Sequence, residues 1–308
     1  MVEQSVSGAV SWVWRFPLLT AAILFALAAA TVCAQTPAPT QTELSVRSGI
    51  VYAQGAVGPL LADAYIPAGK GPFPGILFIH GGGWINGDRN QMVKLIRTLA
   101  ERGYVGFTID YDVAPVTYPK SFQESLLALE YFRGHAKELH LDPARVAVAG
   151  SSAGGELAAL VALNPGGVTM PGIVPVVATQ PVQAAVILNG VLDLTAFGDK
   201  SNLVTGYLGG PCTSLTDACR DASPQYHVHA GAPPFYVGHG TADQTVPFAQ
   251  AEAFVAALNA VKVPAKLFTA TGGPHTYWIK PEFYTKNLEA ISSFLAEALG
   301  SRKPSVHR

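Results

Sequence analysis

Charged residues are scarce in this 308-residue sequence, at 13% of the total, and neither sign is in excess. The 20 lysines and arginines are balanced by 21 aspartates and glutamates, which gives a formal net charge of -1. Proteins that bind nucleic acids or acidic surfaces need a clustered excess of basic residues, so this balance argues against both partners. Hydrophobic residues make up 49% of the chain, enough for one large core and too many for a disordered protein.

Cysteine is also scarce, with three in the whole sequence. Cys33 falls in an N-terminal segment, which leaves Cys212 and Cys219 close together in a stretch rich in Gly, Pro and Thr. In an oxidising compartment we expect these two to form a disulfide, with two free thiols as the alternative. A metal centre needs more ligands than this pair and the nearby His227 and His229 supply, so no metal site is predicted.

One apolar run of about 15 residues, over 16–30, follows Arg15 and precedes a small-residue cleavage pattern at 32–34. This arrangement is typical of a secretory signal peptide, and the run is short for a transmembrane helix. We therefore predict a signal peptide over residues 1–34 and a flexible tether over 35–42. The mature protein would be periplasmic or secreted, without a stable membrane partner; an uncleaved membrane anchor is the alternative.

From residue 43 onwards, short apolar segments alternate with longer amphipathic ones. The first two β-type segments, residues 44–52 and 60–66, predict an antiparallel hairpin. Near-continuous apolar strands separated by helices predict an α/β fold, with a mostly parallel sheet covered by helices on both faces. The further predicted strands are residues 75–79, 105–109, 146–148, 185–188, 235–237 and 266–268. Helical periodicity is found at residues 91–102, 122–138, 156–163, 248–261 and 283–299.

No repeat or linker divides this region, so it is predicted to form one catalytic domain over residues 43–302, followed by a C-terminal tail at 303–308. Two stretches rich in Gly and Pro interrupt the alternation, at residues 164–181 and 195–232. They form either a cap over the site or surface loops. Ligands of such sheets bind at the carboxyl ends of the strands, so functional residues are expected there.

The stretch Gly150-Ser151-Ser152-Ala153-Gly154 directly follows a predicted strand and precedes a predicted helix. A Gly-x-Ser-x-Gly stretch in this context is typical of a sharp turn that exposes the serine hydroxyl, because the glycines leave room for it. The helix N-terminus beneath it favours developing negative charge. Ser152 is therefore the candidate nucleophile, and Ser151, at the x position, is its rival.

The sequence HGGGW, residues 80–84, follows another predicted strand. Glycine has no side chain to obstruct its backbone N–H group, so this group can approach a substrate oxygen closely. The N–H groups of Gly82, Gly83 and Ala153 are therefore predicted to form an oxyanion hole, with a flexible glycine turn as the alternative. We expect His80 to brace this loop rather than act as a base.

A serine hydroxyl needs a base, and the base needs a carboxylate that orients it. Asp243 and His275 each follow a late strand, and the order Ser152, Asp243, His275 is the triad order of α/β-hydrolases. Asp193, after the preceding strand, is the rival acid, and His239 is expected to pack the loop of Asp243. More remote alternatives for the acid are Asp110 and Glu156.

Together these motifs resemble bacterial carboxylesterases of the α/β-hydrolase fold, in the hormone-sensitive-lipase-like and feruloyl-esterase-like branch. The resemblance covers about residues 44–300 and rests on HGGGW at 80–84, GSSAGG at 150–155, HGTAD at 239–243, Val246-Pro247 and His275. The segments DYDVAP at 110–115 and Ala-Ser-Pro at 222–224 are also similar to family segments. Asp112 departs from the arginine of many relatives, and Glu156 stands where Asn or His is common.

The resemblance implies a serine carboxylesterase that hydrolyses small to medium carboxylic esters through an acyl-enzyme, with no metal or organic cofactor. Its partner would be a small-molecule ester. On the same fold, the alternatives are an amidase or peptidase, an arylformamidase and an acyltransferase; a non-catalytic binding protein is a further class. Trp84, Tyr207 and Tyr277 are candidates for lining the substrate pocket, with packing in the core as the alternative.

Overall fold

The structure is a computed structural model of the 308-residue chain, and it describes residues 44–163 and 179–300. The predicted signal peptide, the predicted tether, most of the first predicted cap stretch and the C-terminal tail lie outside these residues. The described residues belong to one compact unit that spans Thr42–Arg308. None of the described helices combines the length and the hydropathy that crossing a membrane requires.

The described residues form one eight-stranded sheet at the centre of this unit. In chain order its strands are β1 (Ser45–Gln54), β2 (Pro59–Ile66), β3 (Phe73–Ile79), β4 (Val105–Ile109), β5 (Leu141–Ser151), β6 (Ala184–Leu188), β7 (Phe235–Gly240) and β8 (Ala265–Ala270). They are arranged in the order β1-β2-β4-β3-β5-β6-β7-β8. Only β1 with β2 and β2 with β4 pair antiparallel, and every other neighbouring pair is parallel. The predicted hairpin and the predicted mostly parallel sheet are both confirmed.

Helices cover both faces of the sheet. They are α1 (Val93–Glu101), α2 (Lys120–Gly134), α3 (Ala153–Leu163), α4 (Asn202–Leu208), α5 (Thr216–Asp221), α6 (Phe248–Ala260) and α7 (Pro281–Leu299). Alternate side chains of β3 point to opposite faces: Ile76 and Phe78 pack in the cluster formed with α1 and α7, Leu77 and Ile79 in that formed with α2, α3 and α6. Because β3 is buried on both faces, its sequence is apolar throughout.

The two largest differences from the predicted boundaries both lie between α2 and β5. The helix ends at Gly134 instead of residue 138, and the chain then turns through His140, which has a φ of +55°. The His140 carbonyl accepts a hydrogen bond from Phe73 N–H at the start of β3. The strand β5 begins at Leu141, five residues before the predicted start, because Leu141 pairs with Phe73. Residues 142–145, which carry no apolar pattern, lie at a register shift before pairing resumes at Val146.

The second predicted cap stretch, residues 195–232, is a packed segment and not a set of surface loops. It contains α4, α5 and short 3-10 turns at Thr195–Lys200 and Pro224–His227. Tyr207 and Leu208 of α4 are buried in the core. The predicted disulfide between Cys212 and Cys219 is present and buried, and it ties the loop after α4 to α5.

Reducing the Cys212–Cys219 disulfide should lower the stability of the protein. The bridge closes a loop with a sequence separation of 7, for which the chain-entropy treatment gives about 2–3 kcal/mol. In a domain of this size, that loss should lower the melting temperature by at least about 4 °C, measured by calorimetry with and without dithiothreitol. The double variant Cys212→Ser/Cys219→Ser should melt at the lower temperature and ignore the reductant. A wild-type melting temperature that reductant leaves unchanged would contradict this.

Candidate active site

The candidate functional side chains meet at the carboxyl edge of the parallel part of the sheet. The HGGG loop follows β3, Ser152 follows β5, Asn189 follows β6, Asp243 follows β7 and His275 follows β8. These five strands are consecutive neighbours in the sheet, so residues far apart in sequence emerge side by side. This is the edge at which parallel sheets bind ligands.

Ser152 lies on a sharp turn between β5 and α3, with a φ of +54° that few residues other than glycine adopt. A Cβ on Gly150 would collide with the carbonyl of Gly154. A Cβ on Gly154 would collide with the carbonyls of Ile79 and His80. Glycine is therefore required at both positions, because α3 begins in direct contact with the strand before it and with the end of β3.

The two adjacent serines have different surroundings. The Ser151 hydroxyl is buried and donates to Gln91 Oε1 over 3.3 Å. The Ser152 hydroxyl lies 2.9 Å from His275 Nε2 and faces the cavity. Of the two candidate nucleophiles, Ser152 is thus the one that the structure places beside a base.

His275 joins Ser152 to Asp243. Its Nδ1 lies 2.7 Å from Asp243 Oδ2, so Nδ1–H donates to the carboxylate and Nε2 is left to accept the proton of Ser152 Oγ. The imidazole is one-fifth exposed, whereas the carboxylate is fully buried. Sequence reasoning missed Asn189, whose Nδ2 lies 3.2 Å from the same His275 Nε2. The Asn-Gly pair directly after β6 was the available signal.

The Asp243 carboxylate accepts hydrogen bonds from four donors. Oδ1 accepts from the N–H groups of Thr245 and Val246 at 2.8 and 2.9 Å. Oδ2 accepts from His275 and from His239 Nε2, which lies 3.0 Å away. Burial by itself raises the pKa of this carboxyl, but the hydrogen bonds from His239, His275 and Val246 lower the pKa well below its usual range. Asp243 is therefore ionised at neutral pH and can only accept hydrogen bonds.

The rival acids have other partners. Asp193 accepts hydrogen bonds from both the N–H and the hydroxyl of Thr195, so it caps a turn. Asp110 pairs with the guanidinium of Arg89. Among the described residues, only Asp243 offers His275 a carboxylate.

The glycine loop is fixed by its own hydrogen bonds. Gly81 N–H donates to Gln91 Oε1 over 2.6 Å, and the Gly82 carbonyl accepts from Asn86 N–H over 3.2 Å. Gly82 and Gly83 have φ values of +122° and +61°, and a Cβ on Gly82 would collide with the Asn86 carbonyl. Only glycine fits this turn, which the sequence left open as a possible flexible turn.

Three backbone donors are left free beside Ser152. Ser152 N–H itself donates to the Leu188 carbonyl over 2.9 Å. Within the described part of the chain, no hydrogen bond uses the N–H groups of Gly82, Gly83 or Ala153. These are the three groups predicted for an oxyanion hole, and Gly82 and Gly83 line the cavity. They can therefore donate to an oxygen of a bound molecule.

His80 supports this loop from below. Its ring is buried, stacks on Tyr111 with centroids 4.3 Å apart, and its Nδ1 donates to the Gly81 carbonyl over 2.6 Å. Burial lowers the pKa of His80, which keeps the imidazole neutral. The ring has no contact with Ser152 among the described hydrogen bonds, so it acts as a brace.

Glu156, a remote rival acid in the sequence and a departure from the Asn or His common in the family, is a fully buried carboxyl. From the first turn of α3 it accepts hydrogen bonds from Trp84 Nε1 at 3.1 Å and from the Tyr207 hydroxyl at 3.4 Å. Trp84 stacks on Tyr207, with centroids 4.3 Å apart. Burial raises the pKa of Glu156 well above its usual range, although both hydrogen bonds act to lower it. Glu156 thereby links the helix of Ser152, the end of the glycine loop and α4.

Trp84 and Tyr277, which the sequence offered as candidates for substrate binding, are not among the described residues that line the cavity. Trp84 is buried between Tyr207 and Glu156. Tyr277 is fully buried, and its hydroxyl donates to Asn287 Oδ1 over 3.1 Å. Tyr207 is held in the same way as Trp84. Core packing, the stated alternative, describes all three aromatic residues.

The cavity beside Ser152 has a volume of about 380 Å³. Apart from the glycine loop and His275, the apolar residues that line it in the described part of the chain are Leu203, Trp278 and Ile279. Its polar lining comprises Ser151, Gln91, Asn189, Thr245 and Thr276. Within residues 44–163 and 179–300, no group of three His, Cys, Asp or Glu side chains could hold a metal ion.

Comparison with known proteins matches residues 62–258 to the BD-FAE family. The carboxylic ester hydrolase LipM of Mycobacterium tuberculosis, named as probable, is 37% identical over 62% of this chain, and esterase LipQ of the same organism is 31% identical over 76%. The chain spans 46% and 58% of these two relatives, about half of their length.

A solved structure has a similar fold over nearly its whole length. The butyrate-bound esterase Est2 of Thermogutta terrifontis superimposes with a TM-score of 0.72 and 29% sequence identity. The match covers 86% of this chain and 98% of that one. The α/β-hydrolase fold expected from the sequence is therefore confirmed.

The pH dependence of stability should reveal the buried Glu156 carboxyl. The pKa of Glu156 is higher in the folded protein than in the unfolded chain. The contribution of the protonated carboxyl to the free energy of unfolding is therefore fully present below about pH 4 and is lost as pH rises. The loss approaches about 1.4 kcal/mol per pH unit until the folded-state pKa is reached. The variant Glu156→Gln has no such proton, so its melting temperature should fall less than that of the wild type between pH 5 and pH 8.

The matched variant Glu156→Ala separates charge from packing in this test. It leaves Trp84 Nε1–H buried without its acceptor and opens a cavity, so it should be less stable than Glu156→Gln at every pH, by about 2–4 kcal/mol. If the melting temperatures of the wild type and of Glu156→Gln changed equally with pH across this range, the carboxyl would be ionised throughout.

Proposed function

The chain belongs to the BD-FAE family, as the resemblance of its motifs predicts, and on this premise we propose that it is a serine carboxylesterase. The observation that carries the proposal is the hydrogen-bonded series Ser152–His275–Asp243, with distances of 2.9 and 2.7 Å. It lies beside three unused backbone N–H groups, and two of them, those of Gly82 and Gly83, belong to residues that line a cavity. A nucleophile, a base, an orienting acid and an oxyanion hole are the parts that acyl transfer needs.

In the proposed reaction, His275 Nε2 takes the proton of Ser152 Oγ as this oxygen attacks the ester carbonyl carbon. Asp243 keeps Nδ1 protonated and stabilises the imidazolium that forms. The N–H groups of Gly82, Gly83 and Ala153 donate to the oxyanion; losing one such donor typically costs about 10²–10³ in rate. His275 then protonates the leaving alcohol, and a water that it activates releases the acid from the acyl-enzyme.

The known relatives support an ester as the substrate. LipM and LipQ are named as ester hydrolases, and the Est2 structure holds butyrate, the acid product of a short ester. We therefore infer small to medium carboxylic esters as substrates. The amidase, arylformamidase and acyltransferase alternatives share the machinery, but none of the relatives compared above is named for these reactions.

Replacing Ser152 should abolish the activity. The variant Ser152→Ala should hydrolyse p-nitrophenyl butyrate at least about 10³-fold more slowly than the wild type, because the acyl-enzyme cannot form. It should also lose covalent labelling by a fluorophosphonate. The adjacent variant Ser151→Ala is the matched control and should keep both activity and labelling. Wild-type turnover in Ser152→Ala, or labelling that moves with Ser151, would contradict the assignment.

The same assay separates the two acids. Asp243→Asn should lose about 10³–10⁴-fold, since the amide favours the wrong tautomer of His275. Asp193→Asn, which removes the same charge from the neighbouring strand end, should leave the rate within a few fold of the wild type. An equal loss in both variants would show that the carboxylates act through stability.

We also propose that the protein is exported. A buried Cys212–Cys219 disulfide suits an oxidising compartment, and the predicted signal peptide covers residues 1–34. In a bacterial host, the full chain should be found outside the cytoplasm with both thiols blocked to maleimide. A variant that lacks residues 1–34 should stay in the cytoplasm with reactive thiols. The same distribution for both proteins would argue against export.

A further inference from the structure

The cavity beside Ser152 has two apolar walls that come from opposite faces of the sheet. One wall is Leu203 on α4, a helix that packs through Tyr207 and Leu208 in the cluster on the α2, α3 and α6 face. The other is Trp278 and Ile279, in the 3-10 turn Tyr277–Ile279, where Trp278 belongs to the cluster on the α1 and α7 face. The serine and the glycine loop lie between them.

Leu203 lies directly over the glycine loop. A Cβ on Gly83 would be 3.1 Å from Leu203 Cδ1, so the side chain is in close contact with that backbone. One turn further along α4, Tyr207 stacks on Trp84 and donates to Glu156. The position of Leu203 is therefore fixed by α4, whose Tyr207 makes buried contacts with Trp84 and Glu156.

The chemistry of the proposed reaction assigns a side to each part of an ester. His275 must protonate the leaving oxygen, so the alcohol part lies on the side of His275, next to Trp278 and Ile279. The carbonyl oxygen points to the N–H groups of Gly82 and Gly83. The remaining substituent, the acyl chain, is then left to the side of the glycine loop, where Leu203 lies against Gly83.

The lining of the cavity also determines which charges a substrate can carry. Among the described residues that line the cavity, none is Asp, Glu, Lys or Arg, and His275 is the one titratable side chain used by the proposed mechanism. A charged group on the acyl or alcohol part would lose water without gaining a counter-ion, which is unfavourable. The site is therefore suited to uncharged esters.

We propose that this site takes uncharged esters with a compact acyl group, and that Leu203 limits the acyl part whereas Ile279 limits the alcohol part. This inference rests on the proposed function and adds the substrate class to it. The two side chains are 38% and 48% exposed in the absence of substrate, so shortening either one enlarges the cavity without removing core packing.

The test varies each part of the substrate separately. With p-nitrophenol as the fixed alcohol, Leu203→Ala should raise the ratio of kcat/KM for octanoate over acetate by about 10-fold or more, the scale at which apolar pockets discriminate chain length. With butyrate as the fixed acid, Ile279→Ala should raise the ratio for benzyl over methyl ester by a similar factor. Each variant should leave the other ratio unchanged.

Val57→Ala is the control, since it shortens an apolar side chain that is 82% exposed in the turn between β1 and β2. It should change neither ratio. For charge, p-nitrophenyl hemisuccinate should react at least about 10-fold more slowly than p-nitrophenyl butyrate, which has the same acyl length without the carboxylate.

The outcomes separate this inference from the proposed function. If no ester is hydrolysed in a manner that depends on Ser152, the proposed function is wrong and the inference is lost with it. If hydrolysis depends on Ser152 but Leu203→Ala and Ile279→Ala leave both ratios unchanged, the inference alone is overturned. Equal rates for the hemisuccinate and the butyrate would overturn the inference that the site takes uncharged esters.

Discussion

The close approach of α3 to the end of β3 is the contact on which the site depends. Gly154 lies against the carbonyls of Ile79 and His80, so the helix that directly follows Ser152 begins at the base of the glycine loop. A single added methyl group there would separate the candidate nucleophile from its oxyanion donors. Since interiors are close-packed, the sheet cannot absorb such a shift. The spacing between attacking oxygen and donor N–H groups is thereby set by the backbone.

Two buried carboxyls near the site have pKa values that are shifted in opposite directions. Asp243 is surrounded by donors, two of them imidazoles, which hold the pKa low enough for a full negative charge. Glu156 has an indole and a phenol as its donors and no cationic neighbour among its described hydrogen bonds, so burial dominates and the neutral acid is favoured. The first arrangement orients a base, and the second fastens α4 and the glycine loop to the helix of Ser152 without placing a second charge near His275.

The sequence predicted the parts of the molecule whose physics is local. Gly150 before Ser152 and the three glycines after an apolar strand each constrain the backbone within a few residues. The order of the strands along the chain is read from equally short apolar segments. These signals located the three side chains that the structure brings together and the loop beside them. They failed between α2 and β5, where Leu141 pairs with Phe73 and residues 142–145 lie at a register shift without an apolar pattern of their own.

The lining of the cavity could not be predicted, because it depends on which of several similar residues faces inward. Trp84 and Tyr277 are next to motif residues, and a large aromatic side chain there suggested a substrate contact; both instead find polar partners in the interior. The walls are Leu203 and Ile279, which belong to no motif and differ from other apolar residues only in their position in the fold. Motifs fix where bonds are made and broken, whereas substrate size is decided by packing between distant elements, so two chains with the same motifs can differ in the esters they accept.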